Sequence, residues 1–153
     1  MSQVNKPGMM NNRVIMIAAA AIGLIDSIYL LVIKITDNKA LCLQGVGDCY
    51  GVNSSVYSEI FGIPVSVFGI GAYLLILALI GFEKFSPNHE TISLYSVFGI
   101  TLAGLLYSIY LTYIELFVLK AVCPFCVVSA LVMLLLFALA ISRLLKMTGE
   151  ANS

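Results

Sequence analysis

The sequence predicts an all-α integral membrane protein, a bundle of four transmembrane helices whose first two spans are joined by a long loop carrying a short surface helix. Three observations lead there. Of the 153 residues, 61% are apolar and 10% charged, whereas a soluble domain averages about 45–50% apolar and about 25% charged. Apolar runs long enough to cross about 30 Å of hydrocarbon recur four times along the chain. The polar residues between them collect mainly in one loop, which holds two of the four cysteines.

Taken in order, residues 1–12 are polar and Asn-rich, with Lys6, Pro7 and Gly8, and are expected to form a disordered cytoplasmic tail. A membrane domain should fill 13–146, its spans at about 13–33, 64–82, 92–119 and 123–143. Asp26, Ser27 and Tyr29 lie inside the first span. No cleavable signal peptide is expected, because three more spans follow the first, which then doubles as the insertion signal. In the outer loop, 34–63, Val52, Val56 and Ile60 recur at i, i+4 and i+8 beside Tyr57 and Phe61. That spacing predicts a short amphipathic helix over the bundle or on the membrane surface. Pro64 opens the second span. A polar turn from Glu83 to Thr91 contains Pro87 and the sole histidine, His89. Lys120 to Val122 form a hinge before the last span, Arg143 and Lys146 mark its far interface, and 147–153 reads as a second cytoplasmic tail.

Four spans put both termini on one side. That side and the short turn carry Lys6, Arg13, Lys84, Arg143 and Lys146, against Lys34, Lys39 and Lys120 on the other. Five to three favours cytoplasmic termini in a cell (inner) membrane, with all four cysteines on the outer or periplasmic side. Such a compartment is oxidising and suits disulfides. Formal net charge is zero and no basic tract exists, so nucleic acid is not an expected partner.

The chemistry gathers at Cys123-Pro124-Phe125-Cys126, where the last span begins. An i, i+3 spacing on a first helical turn brings both sulfurs to one face. The helix N-terminus favours thiolate through unpaired N–H groups and its dipole. Pro124 fits there because a first-turn residue needs no N–H donor. The competing readings are a stapled loop, or half of a zinc site shared with Cys42 and Cys49. A structural bridge normally closes a longer loop, since short closures constrain the unfolded chain least. An outward-facing, apolar-flanked site suits disulfide chemistry better than zinc, so no metal is expected. Cys42 and Cys49 alone would read as a structural disulfide, but their Gly-rich setting and the second pair point to a thiol–disulfide relay.

Asp26 and Glu115 are the acids within the spans, and such groups are functional candidates by default. The reading expected here is plainer, an acid facing the bundle interior and hydrogen-bonded to Tyr or Ser. Tyr107, Tyr110 and Tyr113 read as packing and interfacial anchors, and Ser54 and Ser55 as residues that cap or turn the loop helix. His89 falls on the side away from the cysteines and is given no catalytic role. Gly23-Leu24-x-x-Ser27-Ile28-Tyr29-Leu30 is matched by Gly104-Leu105-x-x-Ser108-Ile109-Tyr110-Leu111, and the same offset carries Cys42 onto Cys123. The match suggests two parallel repeats, each delivering a cysteine at the outer end.

Cys42-x6-Cys49, then Cys49-x2-Val52-x2-Ser55-x-Tyr57, then Phe61-Gly62-Ile63-Pro64, and last Cys123-x-x-Cys126 together resemble the vitamin K epoxide reductase family, from Gly23 to about Leu136. The DsbB-type membrane oxidases carry their Cys-x-x-Cys in the first loop, so the order here differs from theirs. The resemblance implies a four-helix bundle enclosing a quinone, of ubiquinone or menaquinone type, beneath the loop helix. It implies that Cys126 faces the quinone, that Cys123 passes electrons to Cys126, and that Cys49 shuttles between Cys123 and Cys42. Cys42 would then exchange with a separate thioredoxin-like (DsbA-like) protein, this chain ending too soon for a fused domain of that kind. Ser55 matches a loop serine of the family and is a candidate quinone contact. Ser129, Ala130 and Leu131 stand where the animal enzymes carry Thr-Tyr-Ala, and the second span has no Asn for a quinone carbonyl. The bacterial or archaeal branch, which oxidises protein thiols with a respiratory quinone, therefore fits better than a vitamin K epoxide reductase proper. A non-enzymatic four-span scaffold with structural disulfides is the remaining alternative.

Overall fold

The computed structural model describes residues 7–42, 45 and 47–153. Four long helices, each apolar enough to cross a membrane, make up the bundle: α1 (Pro7–Thr36), α3 (Val65–Phe85), α4 (Glu90–Tyr113) and α5 (Pro124–Ala151). Between α1 and α3 lie the short helix α2 (Cys49–Asn53) and a two-stranded antiparallel hairpin, β1 (Glu59–Ile60) with β2 (Ile63–Pro64). Helix α4 runs on into a π-helical turn, Ile114–Leu119, which ends on Lys120 in the left-handed conformation at φ 49. Pro124 then starts α5 at a position where its missing N–H costs nothing.

In cross-section α1 packs on α3 and α5, and α4 packs on α5 and α3, closing a ring of four. The interior is built from Met16, Ala19 and Ala20 of α1, Tyr73, Ile76 and Ile80 of α3, Val97 of α4, and Met133 and Leu136 of α5. Large apolar side chains such as Ile25, Leu74, Leu106 and Leu131 face outward instead, as suits a bundle whose solvent is hydrocarbon and whose contacts need small residues. Gly23 shows why. A Cβ there would lie 2.3 Å from the Tyr73 ring, and one on Gly104 would lie 2.9 Å from the Met133 sulfur. The two glycines of the repeated sequence motif thus have the same use, each seating a large side chain from the next long helix of the bundle.

The end bearing the termini is held by charge. The buried Arg143 guanidinium reaches Glu83 at 3.1 Å and Glu90 at 3.2 Å, and Arg13 donates to the Ile80 carbonyl at 2.6 Å. Sequence reading treated Glu83 as part of a polar turn and Arg143 as an interface marker. Both are instead buried inside the bundle. Removing the arginine alone would strand a buried carboxylate, at about 3–5 kcal/mol.

Three expectations need correction. Residues 7–12 are the first turns of α1 rather than tail, and α5 continues through 147–151; residues 1–6 lie outside the described residues. The loop helix is displaced from the predicted pattern. Asp48 caps it early, its Oδ1 accepting the Gly51 N–H at 2.8 Å, and it ends at Asn53. Val56 is 81% exposed and Ile60 belongs to a strand, because Phe61 and Gly62, both at positive φ, turn the chain into a hairpin.

Candidate active site

All four cysteines lie at one end of the bundle, where α1 and α4 finish and α3 and α5 begin. Cys123 is the N-cap of α5 and is fully buried. Its sulfur accepts hydrogen bonds from the Cys126 and Cys49 thiols and from the backbone N–H groups of Cys126 and Phe125. These donors outweigh burial and hold Cys123 as a thiolate, its pKa lowered from 9.0 to about 3. Ultraviolet thiolate absorbance of the reduced protein should therefore persist on acidification from about pH 8 to about pH 5, where an ordinary cysteine is already protonated. A Cys123→Ser variant should lose it throughout that range.

Cys49 opens α2 and is buried against Cys123, Leu30, Ile33 and Val52. Its thiol is within hydrogen-bonding reach of both Cys123 and Cys42; the bond to Cys123, then burial, push its pKa up. The four sulfurs therefore stand in a row, Cys42, Cys49, Cys123, Cys126, and none is in a disulfide. The loop is fastened to make this happen. The Asp48 N–H donates to the Val122 carbonyl at 3.1 Å, and Gly47 lies so close that a Cβ would sit 2.1 Å from that oxygen. Lys34 reaches down from α1 to the Asn53 carbonyl at 2.8 Å, Ser58 Oγ at 2.7 Å and Glu59 at 2.9 Å. Tyr29 donates to the Leu41 carbonyl and packs its ring on Phe125, centroids 4.8 Å apart. Cys42 is half-buried and lines an outer groove of about 310 Å³ with Lys39, Asp48 and Tyr50.

At the other end of the row, Cys126 forms part of the wall of a larger cavity of about 470 Å³. It lies inside the bundle beneath the loop and has an apolar floor that includes Tyr73 and Met133. Ser55 lines it too, but its hydroxyl donates to the Val52 carbonyl at 2.7 Å, which leaves only lone pairs free. Ser66, in the first turn of α3, also lines it, and its buried Oγ has no hydrogen-bond partner among the described residues. Sequence reading missed Ser66. Its one signal was a polar residue two places after Pro64, and only the fold shows it facing the cavity.

The two acids depart from expectation, since neither is bonded to Tyr or Ser among the described residues. Asp26 is buried near Cys123, with Oδ2 unpartnered. Glu115, in the π turn, accepts the Cys123 N–H through Oε2 at 3.3 Å. Tyr107, expected to pack, lines the cavity, whereas Tyr110 and Tyr113 are exposed at the bundle surface. His89 lies at the end away from the cysteines.

A family model described as "Vitamin K epoxide reductase family" matches residues 14–141. The chain belongs to that family. The match takes in both cysteine pairs and every residue of the cavity wall named above. The chain is also 33% identical over 129 residues to "Thiol-disulfide oxidoreductase LTO1" of Arabidopsis thaliana, covering 77% of this chain and 33% of that protein. It thus spans about a third of the length of this relative.

Proposed function

We propose that the protein is a quinone-coupled thiol–disulfide oxidoreductase that makes disulfides, relaying electrons from a thioredoxin-like (DsbA-like) partner through Cys42 and Cys49 to Cys123 and Cys126. The observation that carries this reading is the unbroken row of four sulfurs, running from an outer groove to the wall of an inner cavity. A structural disulfide needs neither a neighbouring second pair nor a preformed thiolate. Membership of the family supports the reading, as does the printed activity of the relative, a thiol-disulfide oxidoreductase.

A partner thiolate attacks the half-buried Cys42 sulfur of the loop disulfide from the outer groove, and Cys49 leaves. Cys49 then attacks Cys123 in the inner disulfide, and Cys126 leaves. The partner's second thiolate displaces Cys42 from the mixed disulfide, and the oxidised partner leaves. The freed Cys42 thiolate then attacks the Cys49 sulfur and releases Cys123 as the thiolate that the helix start stabilises. The two electrons now rest on the inner pair. Regenerating the inner disulfide requires a two-electron acceptor, which is the chemistry a quinone supplies when bound.

The residues present fit such a group. A cavity of about 470 Å³ is within the range of small-molecule sites. Its walls are apolar apart from a few polar groups, among them the unpartnered Ser66 hydroxyl, able to donate to a carbonyl oxygen. Cys126 would contact the ring and Ser66 a carbonyl, with Ser55 a further candidate through its lone pairs. In this reading the cysteine end faces the oxidising side of a cell membrane and both termini the cytoplasm, as the five-to-three distribution of basic residues supports.

The test is quinone reduction by the purified protein in lipid, with a reduced thioredoxin-like protein as electron donor. One quinone should be reduced for each disulfide made in the donor. Donor oxidation without quinone reduction would overturn the coupling.

A further inference from the structure

The relay leaves one proton unassigned. When Cys49 opens the inner disulfide, Cys126 departs as a sulfur anion at the wall of an apolar cavity. The helix N-terminus does not help it, since the N–H groups of Phe125 and Cys126 both point to Cys123. Once Cys123 is itself a thiolate, two anionic sulfurs would stand side by side, a costly arrangement with little solvent to relieve it. A proton is needed at Cys126.

Glu115 is placed to give it. The residue is 2% exposed, lines the cavity with Cys126, and its carboxyl is within hydrogen-bonding reach of the Cys126 thiol. Oε2 is engaged by the Cys123 N–H, whereas Oε1 has no hydrogen-bond partner among the described residues. The surrounding turn is π-helical, with the N–H groups of both Lys120 and Ala121 on the Glu115 carbonyl, a distortion that recurs at functional sites. The titratable groups around it are Cys123 and Cys126 at the start of α5, Asp26 of α1 beyond Cys123, and Tyr57, Tyr73 and Tyr107 around the cavity. No ion pair reaches Glu115 among the described residues. While Cys123 and Cys126 are joined, a carboxyl buried without a counter-charge carries its proton. In the reduced pair the Cys123 N–H and the Cys126 thiol are placed to donate to the carboxylate.

We propose that Glu115 is the proton donor and acceptor for Cys126. The assignment rests on the relay described above. As Cys49 thiolate forms its bond to Cys123 and the Cys123–Cys126 bond breaks, the Glu115 carboxyl hydrogen passes to Cys126 Sγ. The products are a Cys49–Cys123 disulfide, a Cys126 thiol and a Glu115 carboxylate. Charge is conserved, and no proton is drawn from water. The carboxylate takes the proton back when Cys126 is next oxidised.

The experiment is the redox equilibrium of the inner pair in the full-length protein, held in lipid nanodiscs without quinone. The protein is equilibrated with reduced and oxidised dithiothreitol over a range of pH, and Cys126 is read by differential alkylation and mass spectrometry. In Glu115→Gln the proton must come from water, so its reduction constant should fall, relative to wild type, by a further tenfold per pH unit. Glu115→Asp should keep the wild-type slope. Equal slopes in wild type and Glu115→Gln overturn the assignment and leave the relay intact; an inner pair that never forms a reducible disulfide overturns both. The infrared difference spectrum of wild type on reduction supplies a second reading, should the glutamine variant not insert. It should show loss of a protonated-carboxyl band, and the same loss in Asp26→Asn. Absence of that loss in either protein overturns the assignment.

Discussion

Replacing Cys126 by serine should bring quinone reduction by the purified protein down to the uncatalysed rate, while helix content and membrane insertion stay unchanged. Cys126 is the one sulfur of the four that lines the inner cavity, so it alone can meet an acceptor bound there. A serine fills nearly the same space but cannot form or break the inner disulfide. The outer pair is untouched, so one equivalent of reduced partner should still be oxidised before the reaction stops. A burst of one donor thiol pair without turnover separates this outcome from misfolding. Substantial steady turnover in Cys126→Ser would move the acceptor contact to another residue.

Cys49→Ala and Cys123→Ala should fail in opposite ways. Cys49 touches both neighbours in the row; without it, a Cys42 thiolate that attacks a partner disulfide has no neighbouring thiol to displace the partner again. The partner should then stay covalently attached, visible as a band of higher mass on non-reducing gels. In Cys123→Ala the loop pair can still release the partner after one exchange but cannot pass its electrons on, so no adduct should accumulate. An adduct that persists in Cys42→Ala and is absent from Cys49→Ala would reverse the roles of the two loop cysteines.

How far the sequence went can be judged residue by residue. The spans were legible because a lipid-facing helix is apolar on all sides, and Ile25, Leu74 and Leu131 announce that without any partner being known. The redox pair was legible because its logic is local: N-cap, proline at the next position, sulfur at i+3. The ion cluster of Glu83, Glu90 and Arg143 was not legible. Its members are 60 and 53 residues from the arginine, and only helix packing joins them. The loop misled for a different reason. Val52, Val56 and Ile60 have helical spacing, but the caps at Asp48 and Ser54 and the turn at Phe61-Gly62 decide the backbone first. Ser66 and Glu115 were one polar residue each in apolar surroundings, and the cavity that gives them meaning exists only in the assembled bundle.

The central claim is that electrons cross from the loop pair to the helix pair at one contact, between Cys49 and Cys123. It can be examined in a double variant, Cys42→Ser with Cys126→Ser, which leaves those two thiols alone. Mild oxidation of the folded protein in lipid, followed by mass spectrometry of non-reduced peptides, should give a single intramolecular Cys49–Cys123 disulfide in nearly every chain. Two free thiols after oxidation, or disulfides formed only between chains, would contradict the relay.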